Sequence, residues 1–227
     1  ATHIIHWALR SVLGSHVSQA GSHVAEDRLR FDFTHFEQIS PDLLTRIENI
    51  ANRRILENAG VGWYEIPFNQ RPKDILAFFG EKYGTIVRVV DIGGWSIELC
   101  GGTHVSASGE IGLLKIVSES GIAAGIRRIE AQAGASALNL VVNNFNLLSS
   151  ISNRLSCHPQ ELEDRVSSVL QQKSDLELNL RKLQNKEISS VASELIDLSI
   201  EIQGINMVIA RIDAESQDEM RGLAVSI

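Results

Sequence analysis

A chain of 227 residues with 21 Lys and Arg against 28 Asp and Glu carries a formal net charge of −7, which excludes a general polyanion binder, because sequence-independent nucleic-acid affinity rests on clustered cations. The length suits one compact domain plus an extension, and neither a signal-peptide pattern nor a long uninterrupted apolar run is present, so no membrane span is expected. Two cysteines, Cys100 and Cys157, are too few for a disulfide framework; they point to a reducing cytoplasm and leave both thiols free for other work. The basic residues Arg28, Arg30, Arg53, Arg54, Arg71, Lys73, Arg127 and Arg128 all precede residue 130, which leaves room for a local basic face. With Ala1 at its start and Met207 and Met220 as its methionines, the chain reads as a processed product or a piece of something longer.

From Thr2 to Gly14 the apolar positions recur at helical spacing and Gly14 supplies a stop. Leu29, Phe31 and Phe33 alternate with polar residues at the period of a half-buried strand. Ser40-Pro41 offers an N-cap and a first-turn proline for a helix to about Asn58, with Leu43, Leu44, Ile47, Ile50, Ala51 and Ile55 on one stripe. Short strands follow at Trp63 to Pro67 and Ile86 to Ile92, separated by a small helix near Asp74 to Phe79, with Gly93-Gly94 and Gly101-Gly102 as punctuation. Strands resume at Leu113 to Ser118 and Ile126 to Gln132. Helices and strands mix without a repeating βαβ unit, so the fold class is α+β with antiparallel sheet.

After about Gly134 the character changes. Leu162, Val166, Val169, Lys173, Leu176, Leu180 and Leu183 are spaced alternately four and three apart, a heptad seam with one polar interruption, which predicts a long coiled-coil helix. Its partner is either Ala137 to Leu155 folded back as a helical hairpin or a second copy of the chain. Ile205 to Ile212 reads as a strand opening a further domain. The expected organisation is residues 1–134, a helical linker over 135–200, and the beginning of another domain over 201–227.

The strongest local signal is Cys100-Gly-Gly-Thr-His104. A thiolate and an imidazole four apart, separated by two glycines, can turn onto one ion from a tight loop, and zinc favours such donors. The motif is only suggestive by itself. His3 and His6 lie one turn apart on the first helix and near one face, so either is placed to complete a site, although His6 beside Trp7 reads better as a packed histidine. His16, His23, His35 and His158 read as surface residues.

The segments Ala1-Thr-His-Ile-Ile-His6, Arg30-Phe-Asp-Phe33, Phe79-Gly-Glu-Lys-Tyr83, Glu98-Leu-Cys-Gly-Gly-Thr-His104 and Glu119-Ser-Gly-Ile-Ala-Ala-Gly-Ile-Arg-Arg-Ile-Glu130, in this order, resemble the editing domain of the alanyl-tRNA synthetases. The resemblance is tight to about residue 134 and continues through that family's helical linker into the start of its C-terminal domain; the family's aminoacylation regions lie upstream of the matching stretch. It implies an aminoacyl-tRNA deacylase that hydrolyses the ester of Ser-tRNA(Ala) or Gly-tRNA(Ala). It further implies a bound Zn2+ held by a His-x-x-x-His helix motif and the Cys-x-x-x-His loop. His3 matches the second histidine, Cys100 and His104 match the loop, and the first histidine falls two positions before Ala1.

The same resemblance puts Thr2 and Gln19 in the editing pocket, where they would position the seryl group or water; without it, Thr2 reads as a helix N-cap and Gln19 as a turn residue. Gly101 and Gly102 would let the chain approach the substrate. Arg127 and Arg128 would meet the phosphates of the tRNA(Ala) 3′ end through a bidentate fork, an ion pair with Glu119 or Glu130 being an equally good reading. Asp32 and Glu98 are candidate supporting carboxylates, and no general base is assigned. A homodimer through the helical or C-terminal region is a further expected partner. Two other readings stay open: a free-standing trans-editing deacylase, and a non-catalytic coiled-coil dimerisation or tRNA-docking element with structural zinc. Three protein ligands and an open position would favour catalysis; four would favour structure.

Overall fold

The computed structural model describes residues 1–72, 75, 84–212 and 217–226, less the side chains of 218 and 219. The small helix expected near Asp74 to Phe79 and the Phe79 to Tyr83 motif lie outside the described residues. The chain divides into two compact units, Ala1–Asn146 and Leu147–Ile227. The fold is α+β, and among the described residues every strand pair is antiparallel.

The first unit opens with α1 (Thr2–Leu13), which ends where Gly14 takes φ 116°, a conformation that costs a residue without a side chain little. β1 (Gln19–Val24) and β2 (Leu29–Thr34) form a hairpin, and α2 (Pro41–Leu56) starts under a Ser40 hydroxyl that accepts from the Leu43 amide. β3 (Val61–Pro67), β4 (Ile86–Ile92) and β5 (Ser96–Leu99) make a three-stranded sheet. β6 (Leu114–Ala123) and β7 (Ile126–Ala133) return to the first sheet, whose order is β1-β2-β7-β6. α3 (Ala135–Arg154) follows.

The main core packs one face of the four-stranded sheet against α1 and α2. Phe31, Phe33 and Ile129 from the sheet meet Ile4, Ile5 and Leu9 of α1 and Ile47, Ala51 and Ile55 of α2, all essentially fully buried. The register explains the choice of face: Phe31 sits opposite Ile129 and Leu29 opposite Ala131, and directly paired residues share a side of the sheet. Two side chains stitch α2 to the start of β6. Asn52 accepts from the Leu114 amide at 2.9 Å and donates to its carbonyl at 2.8 Å, while Glu48 accepts from the Ile116 amide and the Lys115 ammonium at 2.8 Å each. Helix positions four apart thus match strand positions two apart.

The three-stranded sheet has two different faces. Val87, Val89 and Leu99 form a small second core with Ile66, Phe68 and Ile97. Alternation along the strands sends Val61 and Trp63 of β3, Arg88, Val90 and Ile92 of β4, and Glu98 of β5 to the opposite face, where the pairs Trp63–Val90 and Val90–Glu98 are in register. Gly93 and Gly94 turn β4 into β5 with φ of 57° and 74°. At Gly93 a Cβ would come within 2.8 Å of Ala59 and 2.9 Å of the Trp95 ring, so both conformation and space require glycine there.

In the second unit, α4 (Leu162–Asp197) runs for 36 residues, followed by the hairpin β8 (Ile200–Ile202) and β9 (Ile205–Met207) and by α5 (Gln217–Ser226). Its core is small: Ala192, Leu195 and Leu223, with Ile188, Val191, Val208 and Ile212 against them. The strand expected over Ile205 to Ile212 extends only to Met207, and its partner β8 straddles the expected boundary at residue 200. The Val166, Val169, Leu176, Leu180 and Leu183 side chains of the heptad seam are exposed along α4.

Candidate metal centre and adjoining cavities

His3 on α1 and Cys100 and His104 in the loop after β5 converge, although about a hundred residues separate helix from loop. Their donor atoms all lie within 4.8 Å of one another, a group able to hold a metal ion. The two imidazoles face each other through Nε2 at 3.1 Å. That spacing is close to the ~3.3 Å edge of a tetrahedron built on metal–nitrogen bonds of ~2.0 Å.

Glu98, only 2% exposed, sets the geometry of His3. The His3 Nδ1–H donates to one carboxylate oxygen at 2.7 Å and the His6 Nδ1–H to the other at 2.9 Å. Burial alone would push this carboxyl up, but the hydrogen bonds from His3 and His6 outweigh it and bring Glu98 down to about 2. The carboxylate is therefore anionic and fixes the proton of each imidazole on Nδ1, which directs Nε2 of His3 toward Cys100 and His104; supporting carboxylates orient metal-binding histidines in this way. Burial disfavours the His3 imidazolium, yet hydrogen bonds to Cys100 and Glu98 raise it to about 9, while the same contact with His3 lowers the Cys100 thiol. His104 moves the other way, to about 4, through burial and the neighbouring His3 charge.

The loop carrying Cys100 and His104 is pinned at three points. The Cys100 amide donates to the Arg88 carbonyl at 3.1 Å, and the Val61 amide donates to the Ser106 carbonyl at 2.9 Å. Between them, Arg88 Nη1 donates to the Gly102 carbonyl at 2.8 Å. A cavity of about 370 Å3 opens over the group, lined by Thr2 and Ile4 of α1, Ser22 and Val24 of β1, Val61, Ile92, Gly102 and Val105, and Ser108 and Ile111 of a 3-10 turn. Hydroxyl groups and aliphatic walls together suit a small polar group on an otherwise apolar ligand. A second cavity of about 220 Å3 shares Val61, His104 and Val105 with the first and is completed by Trp63, Arg88 and Val90.

Of the residues singled out in the sequence, His3, Cys100, His104, Thr2 and Gly102 line the larger cavity. Gly101 has open space where a Cβ would stand. Gln19 lies at the start of β1, outside that lining, and its amide donates to the Ser22 hydroxyl at 3.4 Å. Arg127 and Arg128 sit on β7 with both forks engaged. Arg127 pairs with Glu119, and Arg128 donates to Asp32 at 2.6 and 2.9 Å. His6 is a buried histidine packed on Phe31, held by Glu98. Sequence reasoning missed the scale of the Glu98 role, since nothing local marks a carboxylate on a four-residue strand as the brace for a helix 92 residues away. It also missed Arg88 and Trp63, which the pairing of β3 with β4 brings to the same face.

Residues 87–130 match the family model described as the threonyl and alanyl tRNA synthetase second additional domain. Over all 227 residues the chain is 45% identical to an alanine–tRNA ligase of Opitutus terrae, of which it covers 24%. It is 43% identical over its whole length to that of Acetivibrio thermocellus, covering 26% of it, and 44% identical over 222 residues, 97% of this chain, to that of Hydrogenovibrio crunogenus, again covering 26%. The chain thus spans about a quarter of the length of the curated relatives it matches.

Proposed function

We propose, from the premise that this chain corresponds to the editing region of an alanine–tRNA ligase, that it hydrolyses the ester joining serine or glycine to the 3′ end of tRNA(Ala). The observation that carries the reading is the convergence of His3, Cys100 and His104 on the wall of a cavity large enough for a small aminoacyl group. Two imidazoles and a thiolate suit Zn2+, and the carboxylate-braced His3, whose Nε2 faces the Nε2 of His104, fits such an ion. When bound, zinc supplies positive charge and Lewis acidity at the cavity wall.

In this reading the aminoacyl group enters the larger cavity. The Thr2 hydroxyl and Ser22, held by Gln19, position the substrate hydroxyl or the attacking water. Water adds to the ester carbonyl, the bond to the ribose oxygen breaks, that oxygen takes up a proton, and free amino acid and tRNA leave. Amide groups of the Gly101–Gly102 loop are suited to the developing oxyanion. Arg127 and Arg128 would reach phosphates by exchanging their carboxylate partners. The setting is the cytoplasm, and a second copy of the chain is the proposed partner of the exposed α4 seam.

The test is deacylation of Ser-tRNA(Ala), with Ala-tRNA(Ala) as control, by this chain and by a version carrying a histidine two positions before Ala1, metal content being measured in both. Selective hydrolysis of the seryl ester that falls in Cys100→Ala together with metal content supports the reading. Folded protein that hydrolyses neither ester overturns it, leaving a tRNA-docking or dimerisation module.

A further inference from the structure

The smaller cavity beside His104 is unused by the hydrolysis just described. Three features set it apart. Trp63 is 60% exposed on a sheet face whose neighbours are otherwise mostly covered. The Arg88 guanidinium stacks on its ring, with the central carbon 4.6 Å from the centroid. Finally, Arg88 Nη1 donates to the Gly102 carbonyl at 2.8 Å, which fixes the guanidinium plane on this wall. An indole and a guanidinium plane on one wall are elements by which proteins hold unpaired bases, through stacking on the planar groups.

The position of the cavity narrows the ligand. It shares Val61, His104 and Val105 with the cavity that takes the aminoacyl group, so one ligand filling both must carry a planar group a few bonds from its ester. A nucleoside esterified on its ribose has that form, with the acyl group on one side of the sugar and the base on the other. Arg88 also supplies a cation at this wall.

We propose that the Trp63–Arg88 cavity is a nucleobase site that receives the terminal base of the RNA whose ester lies over His3, Cys100 and His104. The site rests on the deacylase reading for its occupant but is measurable without hydrolysis. Arg88 also holds the Gly102 carbonyl, so Trp63 is the residue to change; its exposure lets Trp63→Ala fold.

The experiment measures fluorescence anisotropy of a labelled single-stranded RNA ending in CCA and of the same RNA with an abasic terminal ribose. The wild-type chain is expected to bind the first roughly tenfold more tightly, within the range of one lost base–aromatic stack. Trp63→Ala should erase the difference and Trp63→Phe restore most of it. Equal or undetectable binding of the two RNAs by wild type, or a preference that survives in Trp63→Ala, overturns the site. Seryl-ester hydrolysis without base preference removes the nucleobase site alone; base preference without hydrolysis keeps the site and removes the deacylase reading.

Discussion

At the scale of single residues, Glu98 is the side chain on which the candidate metal group depends most. Glu98→Gln keeps the shape but turns one acceptor into a donor facing an imidazole N–H, so either His3 or His6 must release its contact. Zinc affinity, measured by chelator competition, is expected to fall roughly 10–100-fold, the usual effect of losing a supporting carboxylate; an unchanged affinity would show that His3 needs no brace. The Asp32–Arg128 pair gives a pH signature instead. The Arg128 guanidinium holds the Asp32 carboxyl below its ordinary value. A depressed carboxyl stabilises the fold above its unfolded value of about 3.9 and loses that contribution as pH falls through the folded value. Asp32→Asn should therefore lower the melting temperature at pH 7 by about 2–4 °C, from roughly 1 kcal/mol, and the gap to wild type should narrow progressively as pH falls below about 4. A gap of unchanged size from about pH 7 to about pH 2 would mean that packing, not charge, is what Asp32 contributes.

At the scale of elements, periodicity made α1, β2, α2 and β4 readable, because each carries its apolar residues at one clear spacing. β1 escaped notice: Gln19-Ala-Gly-Ser-His-Val24 is an edge strand with little to bury, so no alternation marks it. β5 escaped for the opposite reason, being four residues long with a buried glutamate where an apolar residue would announce a strand. The grouping of His3, Cys100 and His104 proposed to hold a metal is marked in the sequence as Cys100-x-x-x-His104 plus a helix histidine. The supporting network is not, since Glu98, Arg88 and the Asn52 clamp act across long stretches of chain. Asn52→Ala tests that clamp. It removes both bonds to Leu114 and leaves a buried amide unsatisfied, a loss of about 2 kcal/mol or more and roughly 4–8 °C in the melting of the first unit. A shift under 1 °C would indicate that water or a neighbour replaces Asn52.

At the scale of the whole molecule, all three donor residues, both larger sheets and both cavities belong to the first compact unit. Truncation after Leu155 should therefore leave metal content and RNA binding within about twofold of the full chain, as expected when a unit has its own core; loss of metal on truncation would assign the long helix a part in the site. Leu176 and Leu180 stand 68% and 58% exposed on α4, more apolar surface than an isolated helix keeps without consequence. Sedimentation velocity should show concentration-dependent self-association of the full chain that Leu176→Glu abolishes, and a monomer at all concentrations would refute pairing through that seam.

The seam between α1 and the β4–β5 turn carries one more arrangement. Trp7 and Trp95 meet edge to face at 5.1 Å, and the Arg54 guanidinium lies 4.4 and 4.9 Å from their rings. α1 also brings His3, and β5 leads into the loop with Cys100 and His104, so this indole pair straddles the same junction that an ion would bridge. In a Trp63→Phe background those two indoles are the only tryptophans left. Their emission then becomes a built-in optical gauge of whether helix and loop are seated, readable during a metal titration or a refolding jump with no label attached.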